Sequence, residues 1–376
     1  MGRKADISQG VLFNDSPAAR LEGIVGPAPL APATKALAAK LHSASNKKLH
    51  MGTSSWSFPG WKGLVWDRTV SKEALASGGL AAYASHPLFR TVGLDRTFYS
   101  PMSEHALAEL AAMTPPEFSF LVKAHQVITR PGVDGRGQTF GKNAGHDKPN
   151  PDFLSPTYAV DHVIGPTVLG LANRCGPIVF QFPPMDLSPA GQLASTLGLS
   201  ATRGTTKSTV ISTFLDKLES FTDALPRTPV GPSSITPLYA VEVRNRELLT
   251  PRYVSILRSR NIVTTLAGHP SQPPLAEQVR LLQPTEGHAV VVRWLLHPTE
   301  QYETAKSRFE PFDQLVNQDP LARMSIAELC IAAMAKGLPT WIVANNKAEG
   351  SAPRSIERLA QQIAAAMDEP RRAVAD

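Results

Sequence analysis

The amino-acid sequence predicts an α/β fold, a (β/α)8 TIM barrel with an N-terminal arm and long βα-loop insertions. Eight short, nearly continuously apolar segments alternate with helical segments along the 376 residues, which is typical of a parallel sheet covered on both faces. Eight such units favour closure into a barrel over an open sheet. The competing dinucleotide-binding fold carries a Gly-x-Gly-x-x-Gly turn after its first strand, and the sequence lacks that turn there.

The predicted organisation is an arm, a barrel domain and a tail. Residues 1–46 are rich in Ala, Pro, Gly and Ser and lack a strand pattern. We expect them to be partly disordered or packed on the barrel, with one helix at 31–45 because Leu37 and Leu41 lie four positions apart. The barrel is predicted to cover residues 47–369, and 370–376 form a flexible tail.

The first four strands are apolar runs that end in polar or turn-forming residues. Their sequences are HMGTS at 50–54, RTVGLD at 90–95, FSFLVK at 118–123 and PIVFQF at 177–182. Helices are predicted between them at 72–85, 104–113 and 159–174, where apolar residues recur every three or four positions. Residues 130–158 are rich in Gly, Pro, Asn and Asp, which predicts a long loop insertion.

The second half of the chain repeats this pattern after an irregular segment at 186–208. The strands are LYAVEVR at 238–244, IVTTL at 262–266, AVVVRW at 289–294 and TWIVAN at 340–345. The helices are predicted at 209–225, 251–260, 321–336 and 353–367. No clear helix follows 262–266, so that unit is the least regular of the eight.

Composition restricts the classes of protein and of partner. No apolar run reaches about 18 residues, so we expect no membrane span, and no secretory signal follows Arg3 and Lys4. Cys175 and Cys330 make no metal-type spacing, which favours a cytoplasmic location. The net charge of +6 favours anionic ligands, with a merely solvated basic surface as the alternative.

Two tryptophans follow the first strand within one loop. Gly52 allows the backbone of that strand to approach a neighbour closely, and Pro59-Gly60 bends the loop between Trp56 and Trp61. Large rings in such a loop either cap one end of the barrel or stack against a ligand. The sequence leaves both alternatives open.

Polar side chains end the predicted strands on the face that looks into the barrel. Alternate residues of a barrel strand point inward, and catalytic groups lie at the carboxyl ends. Glu242, Arg244 and Arg293 are therefore predicted to meet at the mouth, either as a site or as a salt bridge that closes the barrel. The other polar residues at strand ends are Asp95, Thr97, Tyr99, Lys123, Gln181, Asn345 and Asn346.

This set predicts a cationic, hydrogen-bonding pocket. We expect Lys123, Arg244 and Arg293 to bind an anion and Tyr99 to donate a hydrogen bond to it. The candidate catalytic residues are Asp95, Lys123 and Glu242; cations oppose the raised pKa that a carboxylate base needs, which favours Asp95 over Glu242. His269 and His297 lie near strand ends, but without a metal-type spacing we expect no metal and no cofactor.

The order of the strand-end motifs resembles that of the YecE-like family, known as domain of unknown function 72. The motifs are GTSSWSFPGW, DRTFYSP, FSFLVKAHQVIT, VFQFPP, YAVEVRN, VVRW and VANNKAEGSAP, between Leu49 and Met367. The resemblance implies a TIM barrel with no settled reaction. It also implies a polar set at Trp56, Trp61, Thr97, Phe98, Tyr99, Lys123, Gln181, Pro183, Glu242, Arg244, Arg293, Asn345 and Asn346.

The sequence departs from the family pattern at three places. Gly93 stands where an inward Glu is usual, Asn245 stands where a His commonly follows the strand-five Arg, and the usual His-Gly after strand seven is missing. These losses weaken any role that needs Glu or His there, and His297 is the candidate substitute.

Two functional hypotheses follow. The first is a metal-independent enzyme that acts on a small anionic substrate, phosphorylated or carboxylated, at the C-terminal mouth. The alternative is a non-catalytic barrel that binds a ligand or a nucleic acid through its basic balance and exposed rings. Nucleic acid is disfavoured because Lys and Arg are scattered along the chain rather than grouped in blocks of about five.

Overall fold

The computed structural model describes residues 25–133, 148–200 and 204–368. In these ranges the strands are β1 (Leu49–Thr53), β2 (Thr91–Leu94), β3 (Ser119–Lys123), β4 (Gly132–Val133), β5 (Lys148–Pro149), β6 (Cys175–Gln181), β7 (Leu238–Glu242), β8 (Val263–Thr264), β9 (Leu266–Gly268), β10 (Val290–Trp294) and β11 (Thr340–Ala344). The helices are α1 (Pro32–Ala44), α2 (Lys72–Gly78), α3 (Leu80–Ala84), α4 (Glu104–Ala112), α5 (Gln126–Thr129), α6 (Pro156–Ala159), α7 (Gly165–Leu171), α8 (Gln192–Thr196), α9 (Lys207–Asp223), α10 (Pro251–Arg258), α11 (Leu275–Leu282), α12 (Tyr302–Phe309), α13 (Pro320–Ala335) and α14 (Ala352–Asp368).

Nine of the described strands form one parallel sheet in the order β8-β7-β6-β3-β2-β1-β11-β10-β9. The two ends of this order, β8 and β9, are separated in the chain only by Thr265, so the sheet is a nearly closed barrel. The predicted TIM-type α/β barrel is confirmed. The predicted strand 262–266 is instead two short strands, because β8 pairs with β7 and β9 pairs with β10.

The alternation of side chains along the strands separates the barrel interior from the helix layer. The interior contains mostly aliphatic side chains, from Leu121, Val179, Ala240, Val263, Ala289, Val291, Trp341 and Val343. Gly52 brings β1 close to β2, because a Cβ there would lie 1.8 Å from the Thr91 carbonyl oxygen. The close backbone approach predicted for Gly52 is therefore present.

The short helices α5, α8, α11 and α12 were not predicted, and α6 lies almost entirely within the segment predicted as a loop. Helix α11 has eight residues directly after two prolines, and α12 has eight residues of which only Ala305 and Phe309 are buried, so neither gives a long apolar period. The predicted helix 72–85 is two helices, α2 and α3, with Gly79 between them. A Cβ at this position would lie 2.7 Å from the Leu75 carbonyl oxygen, so the junction requires glycine.

The described part of the predicted arm packs on the barrel. Helix α1 lies against α14, where Lys40 Nζ is 2.6 Å from an Asp368 carboxylate oxygen, and Leu41 is fully buried. Residues 1–24 of the arm, 369 of the barrel domain, 370–376 of the tail and 134–147 of the long loop lie outside the described residues. No helix of the described ranges combines the length and apolar content needed to cross a bilayer.

Candidate functional site

The carboxyl ends of the barrel strands place polar side chains directly above the apolar interior. Lys123 follows the interior residue Leu121 by two positions, and Glu242 follows Ala240 by two. By the same alternation the polar layer comprises Ser54, Asp95, Lys123, Gln181, Glu242, Thr265, Arg293 and Asn345. Ser54 and Thr265 were not among the predicted site residues, although strand parity applied to β1 and to the β8–β9 break identifies both.

Glu242 is the centre of an ionic chain across the mouth. Its side chain has no exposed surface; Oε1 is 2.5 Å from an Arg244 Nη2, and Oε2 is 2.8 Å from Arg293 Nη1. Arg293 Nη2 continues to Asp95 Oδ1 at 3.1 Å. The salt bridge that the sequence left open as an alternative is therefore present, and Arg244 is buried.

The two guanidinium groups determine the charge of Glu242. Burial alone raises the pKa of this carboxyl, but Arg244, Arg293 and Lys123 outweigh burial and hold the pKa at about 2. A carboxylate with that pKa cannot accept a proton at neutral pH. Asp95, whose side chain is 36% exposed, is the more accessible carboxylate, although it too pairs with Arg293.

Lys123 is a buried amine without a bonding partner among the described residues. Its Nζ lies 3.6 Å from the centroid of the Phe98 ring, and Thr97 Oγ1, 2.6 Å from the Lys123 carbonyl oxygen, holds the strand end. Burial lowers the pKa of this lysine to about 7, with the carboxylates of Asp95 and Glu242 opposing the shift. Part of the amine is therefore neutral near pH 7.

The mouth has a surplus of positive charge. When Lys123 is protonated, it contributes with Arg244 and Arg293 three positive charges against the two negative charges of Asp95 and Glu242, a surplus of one. The Nε atoms of both arginines are also buried and have no hydrogen-bond partner in the described ranges. Buried cations need counter-charges, so this arrangement is suited to receiving an anion.

His269 lies beside the ionic chain and was considered in the sequence only as a metal ligand. Its Nδ1 accepts a hydrogen bond from the Ser271 backbone N–H at 3.1 Å, so its ring hydrogen belongs on Nε2. Burial and the charge of Arg244 lower its pKa to about 4. His269 is thus a neutral imidazole at the mouth.

Two exposed tyrosines lie at the rim. Tyr99, which the sequence predicted, is 59% exposed, and Tyr302, which it did not, is 57% exposed. Burial raises the pKa of Tyr302, and the charges of Tyr99, Glu303 and Asp95 add to the rise. Lys347 Nζ packs on Tyr302 at 4.3 Å from the ring centroid.

The structure does not bring Trp56, Trp61 or Asn346 to the mouth. Trp61 is fully buried, and its Nε1 donates to Asn346 Oδ1 at 3.3 Å. Trp56 is 5% exposed, and its Nε1 donates to the Leu75 carbonyl oxygen at 3.0 Å. This placement favours the packing alternative for both rings.

Other predicted residues lie near strand ends in supporting positions. Gln181 pairs in register with Glu242 on the adjacent strand. Asn345 donates from Nδ2 to Ser54 Oγ at 2.7 Å and accepts from the Lys347 backbone N–H at 3.0 Å. These bonds join the loop after β11 to the end of β1.

The residues at or near the three family departures make local contacts in the structure. Asn245 Oδ1 accepts from the Met185 N–H at 2.8 Å and its Nδ2 donates to the Met185 carbonyl at 2.9 Å, which holds the segment after β6. A Cβ at Gly93 would lie 3.2 Å from the Ser54 backbone. His297 Nδ1 accepts from the Thr299 N–H at 3.2 Å within its own loop.

Two features elsewhere bear on the site. In the described ranges no group of three or more His, Cys, Asp and Glu side chains is arranged to hold a metal ion. Cavities of about 250 and 610 Å³ lie at the opposite, amino-terminal end of the barrel, near Asn261 and His288. Neither cavity is lined by a residue of the mouth.

One family model matches most of the chain. The family model described as "Protein of unknown function DUF72" matches residues 50–375. A solved DUF72 family protein from Enterococcus faecalis V583 is 15% identical with a TM-score of 0.49, covering 84% of this chain and 95% of its own. One from Thermotoga maritima MSB8 is 17% identical with a TM-score of 0.45, covering 85% and 99%. No curated protein matches the chain.

Proposed function

The chain belongs to the DUF72 family, and we propose that it is a metal-independent enzyme acting on a small anionic substrate, phosphorylated or carboxylated, at the C-terminal mouth of the barrel. The surplus of positive charge around Lys123 carries this proposal. At the mouth the cation Lys123 has no bonding partner among the described residues. Beside it, Arg244 and Arg293 share the carboxylate of Glu242, and Arg293 also pairs with Asp95. A substrate anion supplies the missing counter-charge.

The roles of the residues follow from their burial and partners. Arg244 and Arg293 bind the anion, Lys123 completes the cationic wall, and Asp95, the more accessible carboxylate, exchanges a proton with the substrate. Glu242 stays ionised and orients both arginines. No metal is needed in this scheme, because both oxygens of Glu242 are engaged by guanidinium groups.

Exposed rings favour the alternative function, a non-catalytic barrel that binds a nucleic acid. Tyr99 and Tyr302 are both more than half exposed, and exposed rings stack on bases. Binding of this kind falls steeply with salt concentration. A single-stranded oligonucleotide that binds with such a salt slope, and competes with phosphate, would replace our proposal.

The proposal is tested by thermal unfolding with and without inorganic phosphate. Phosphate at about 100 times its Kd stabilises a protein that binds it by about 2.7 kcal/mol, so we expect a rise in Tm for the parent protein. Arg244→Ala should lose the rise, whereas Arg252→Ala, which removes an arginine that pairs with Asp216 and Glu219 on the outside, should keep it. Equal responses of the two variants contradict the proposal.

A further inference from the structure

We infer that Lys123 is a nucleophilic amine that forms an imine with the carbonyl carbon of the substrate, which makes the substrate a small carbonyl compound carrying an anionic group. This inference rests on the proposed anion-binding function of the mouth and names the reacting group within it. It is carried by the placement of Lys123 relative to the carboxylates and the Phe98 ring.

The carboxylates near Lys123 are already occupied. Asp95 is bonded to Arg293, and Glu242 contacts both Arg244 and Arg293. In the described part of the chain no carboxylate oxygen lies within ion-pair distance of Lys123 Nζ. The amine instead lies over the face of Phe98. This ring attracts the protonated amine but, unlike a carboxylate, carries no negative charge and accepts no proton.

A second buried lysine shows how a structural amine is held in this fold. Lys347 is 7% exposed, and its Nζ donates to Asn345 Oδ1 at 3.2 Å while packing on Tyr302. Lys123 is about as buried, at 9% exposed, yet no described oxygen accepts from its Nζ. A buried amine without such a bond keeps its lone pair available when it is neutral.

Groups that face Lys123 from the surrounding strands support each stage of imine formation. Asp95 faces it from the turn after β2, Glu242 from the end of β7 with Arg244 two residues beyond, and Arg293 from β10. The arginines hold the anionic group of the substrate beside the amine. Burial lowers the pKa of Lys123 to about 7, so the neutral, nucleophilic form is populated at physiological pH.

The reaction balances without an oxidant or reductant. The nitrogen lone pair of Lys123 forms a C–N bond to the carbonyl carbon, and the C=O π electrons move to oxygen. The nitrogen gives up one proton to that oxygen, which forms the carbinolamine. A second proton, from solvent, reaches the hydroxyl as the C–O bond breaks, so that water leaves and the nitrogen lone pair forms the C=N bond of a protonated imine. Asp95 carries the first proton from nitrogen to oxygen, the carboxylate of Glu242 stabilises the positive charge of the protonated imine, and loss of its N–H proton to solvent gives the neutral imine.

The test traps the imine by reduction. The full chain is incubated separately with glyoxylate, pyruvate and dihydroxyacetone phosphate in the presence of sodium borohydride, and the modified peptide is located by mass spectrometry. We expect a reduced adduct on Lys123 with at least one of these compounds. Lys123→Arg should lose this adduct, while the matched variant Lys347→Arg should keep it.

Two further measurements keep the test independent of folding. The pH at which adduct formation is half-maximal should lie near 7 for Lys123 and near 10 for exposed lysines, and inorganic phosphate should slow trapping at Lys123 only. Adducts confined to exposed lysines, with Lys123 unmodified by all three compounds, would overturn the inference. If phosphate still raises the Tm of the parent in that case, the anion site of the proposed function stands without the imine.

Failure of the anion site, with the imine still formed, gives a different set of results. Trapping at Lys123 that phosphate does not slow, in a protein whose Tm phosphate does not raise, would remove the anion site. The amine would then remain a nucleophile for uncharged carbonyl compounds, and the substrate class inferred here would be wrong.

Discussion

Two fully buried glutamates, Glu242 at the mouth and Glu349 after β11, show how differently one fold uses the same side chain. Glu349 accepts from Arg323 and, at 2.8 Å, from the backbone N–H of Asp319. One carboxylate meets one guanidinium, so the cluster is neutral and closes the turn before α13. Glu242 instead lies among two arginines and a lysine, in a cluster with a positive surplus.

Burial of an ion pair does not by itself distinguish a site from a structural clamp. Both clusters contain a buried arginine Nε that has no hydrogen-bond partner among the described residues. The clusters differ in charge balance and in access, because the chain from Glu242 ends at the partly exposed Asp95. Charge balance is therefore the property that points to an anionic ligand.

The largest effect is expected from removing either glutamate's charge. Glu349→Gln leaves Arg323 buried without its carboxylate, and Glu242→Gln does so for Arg244 while Arg293 keeps only Asp95, so each should lose about 3–5 kcal/mol in unfolding free energy. Phosphate should stabilise Glu242→Gln by more than it stabilises the parent, because the variant has a larger positive surplus, whereas Glu349→Gln, whose mouth is intact, should gain only what the parent gains. Urea unfolding with and without phosphate measures this, and equal gains in the two variants would erase the distinction between the clusters.

The next effect is a pH dependence carried by Lys123. The unfolded lysine keeps its proton up to about pH 10.5 and the folded one only to about 7, so the unfolded state binds more protons in between and stability rises with pH. From pH 7 to 9 the parent should gain about 2–3 kcal/mol relative to Lys123→Met. If the unfolding free energies of the parent and of Lys123→Met change with pH in the same way, Lys123 keeps its proton in the folded state.

Removing Arg244 should cost less than removing Arg323. Glu242 keeps Arg293 in the Arg244→Ala variant, so the loss is that of one charged hydrogen bond, about 1.5–3 kcal/mol. In Arg323→Ala, Glu349 keeps no arginine, and we expect about 3–5 kcal/mol. Chemical denaturation of both variants ranks the losses, and the reverse order would mean that Glu242 depends mainly on Arg244.

The smallest change in stability is expected for Asp95→Asn. Its carboxylate is partly exposed and Arg293 retains Glu242, so the loss should stay below about 1 kcal/mol. Trapping of carbonyl compounds at Lys123 should nevertheless become slower. A large loss of stability in urea unfolding would place Asp95 in the structural ion pair rather than among the reacting groups.

Strand parity made most of the mouth predictable. Lys123, Glu242 and Arg293 end apolar runs at inward positions, and a barrel brings such ends together whatever the loops do. Which charged groups pair was not predictable, because Arg244 and Arg293 share the carboxylate of Glu242 only once the closed barrel brings the ends of β7 and β10 together.

The loops depended on tertiary contacts. Whether Trp61 packs or binds depends on Asn346, 285 positions away. The tautomer of His269 depends on a hydrogen bond from the backbone N–H of Ser271, and no pattern in the sequence indicates that bond. Tyr302 lies at the rim on α12, a helix of eight residues that is too short to show a clear apolar period.

The packing of α1 on α14 joins two segments that the ribosome makes at different times. Lys40 and Ala364 are in contact although 324 positions separate them, and β1 pairs with β11. A ribosome makes about 5–20 residues per second, so the first helix and strand wait at least about 15 seconds for their partners. During that interval both present unpaired surface, and chaperones that hold nascent chains should engage the amino-terminal segment until α14 emerges.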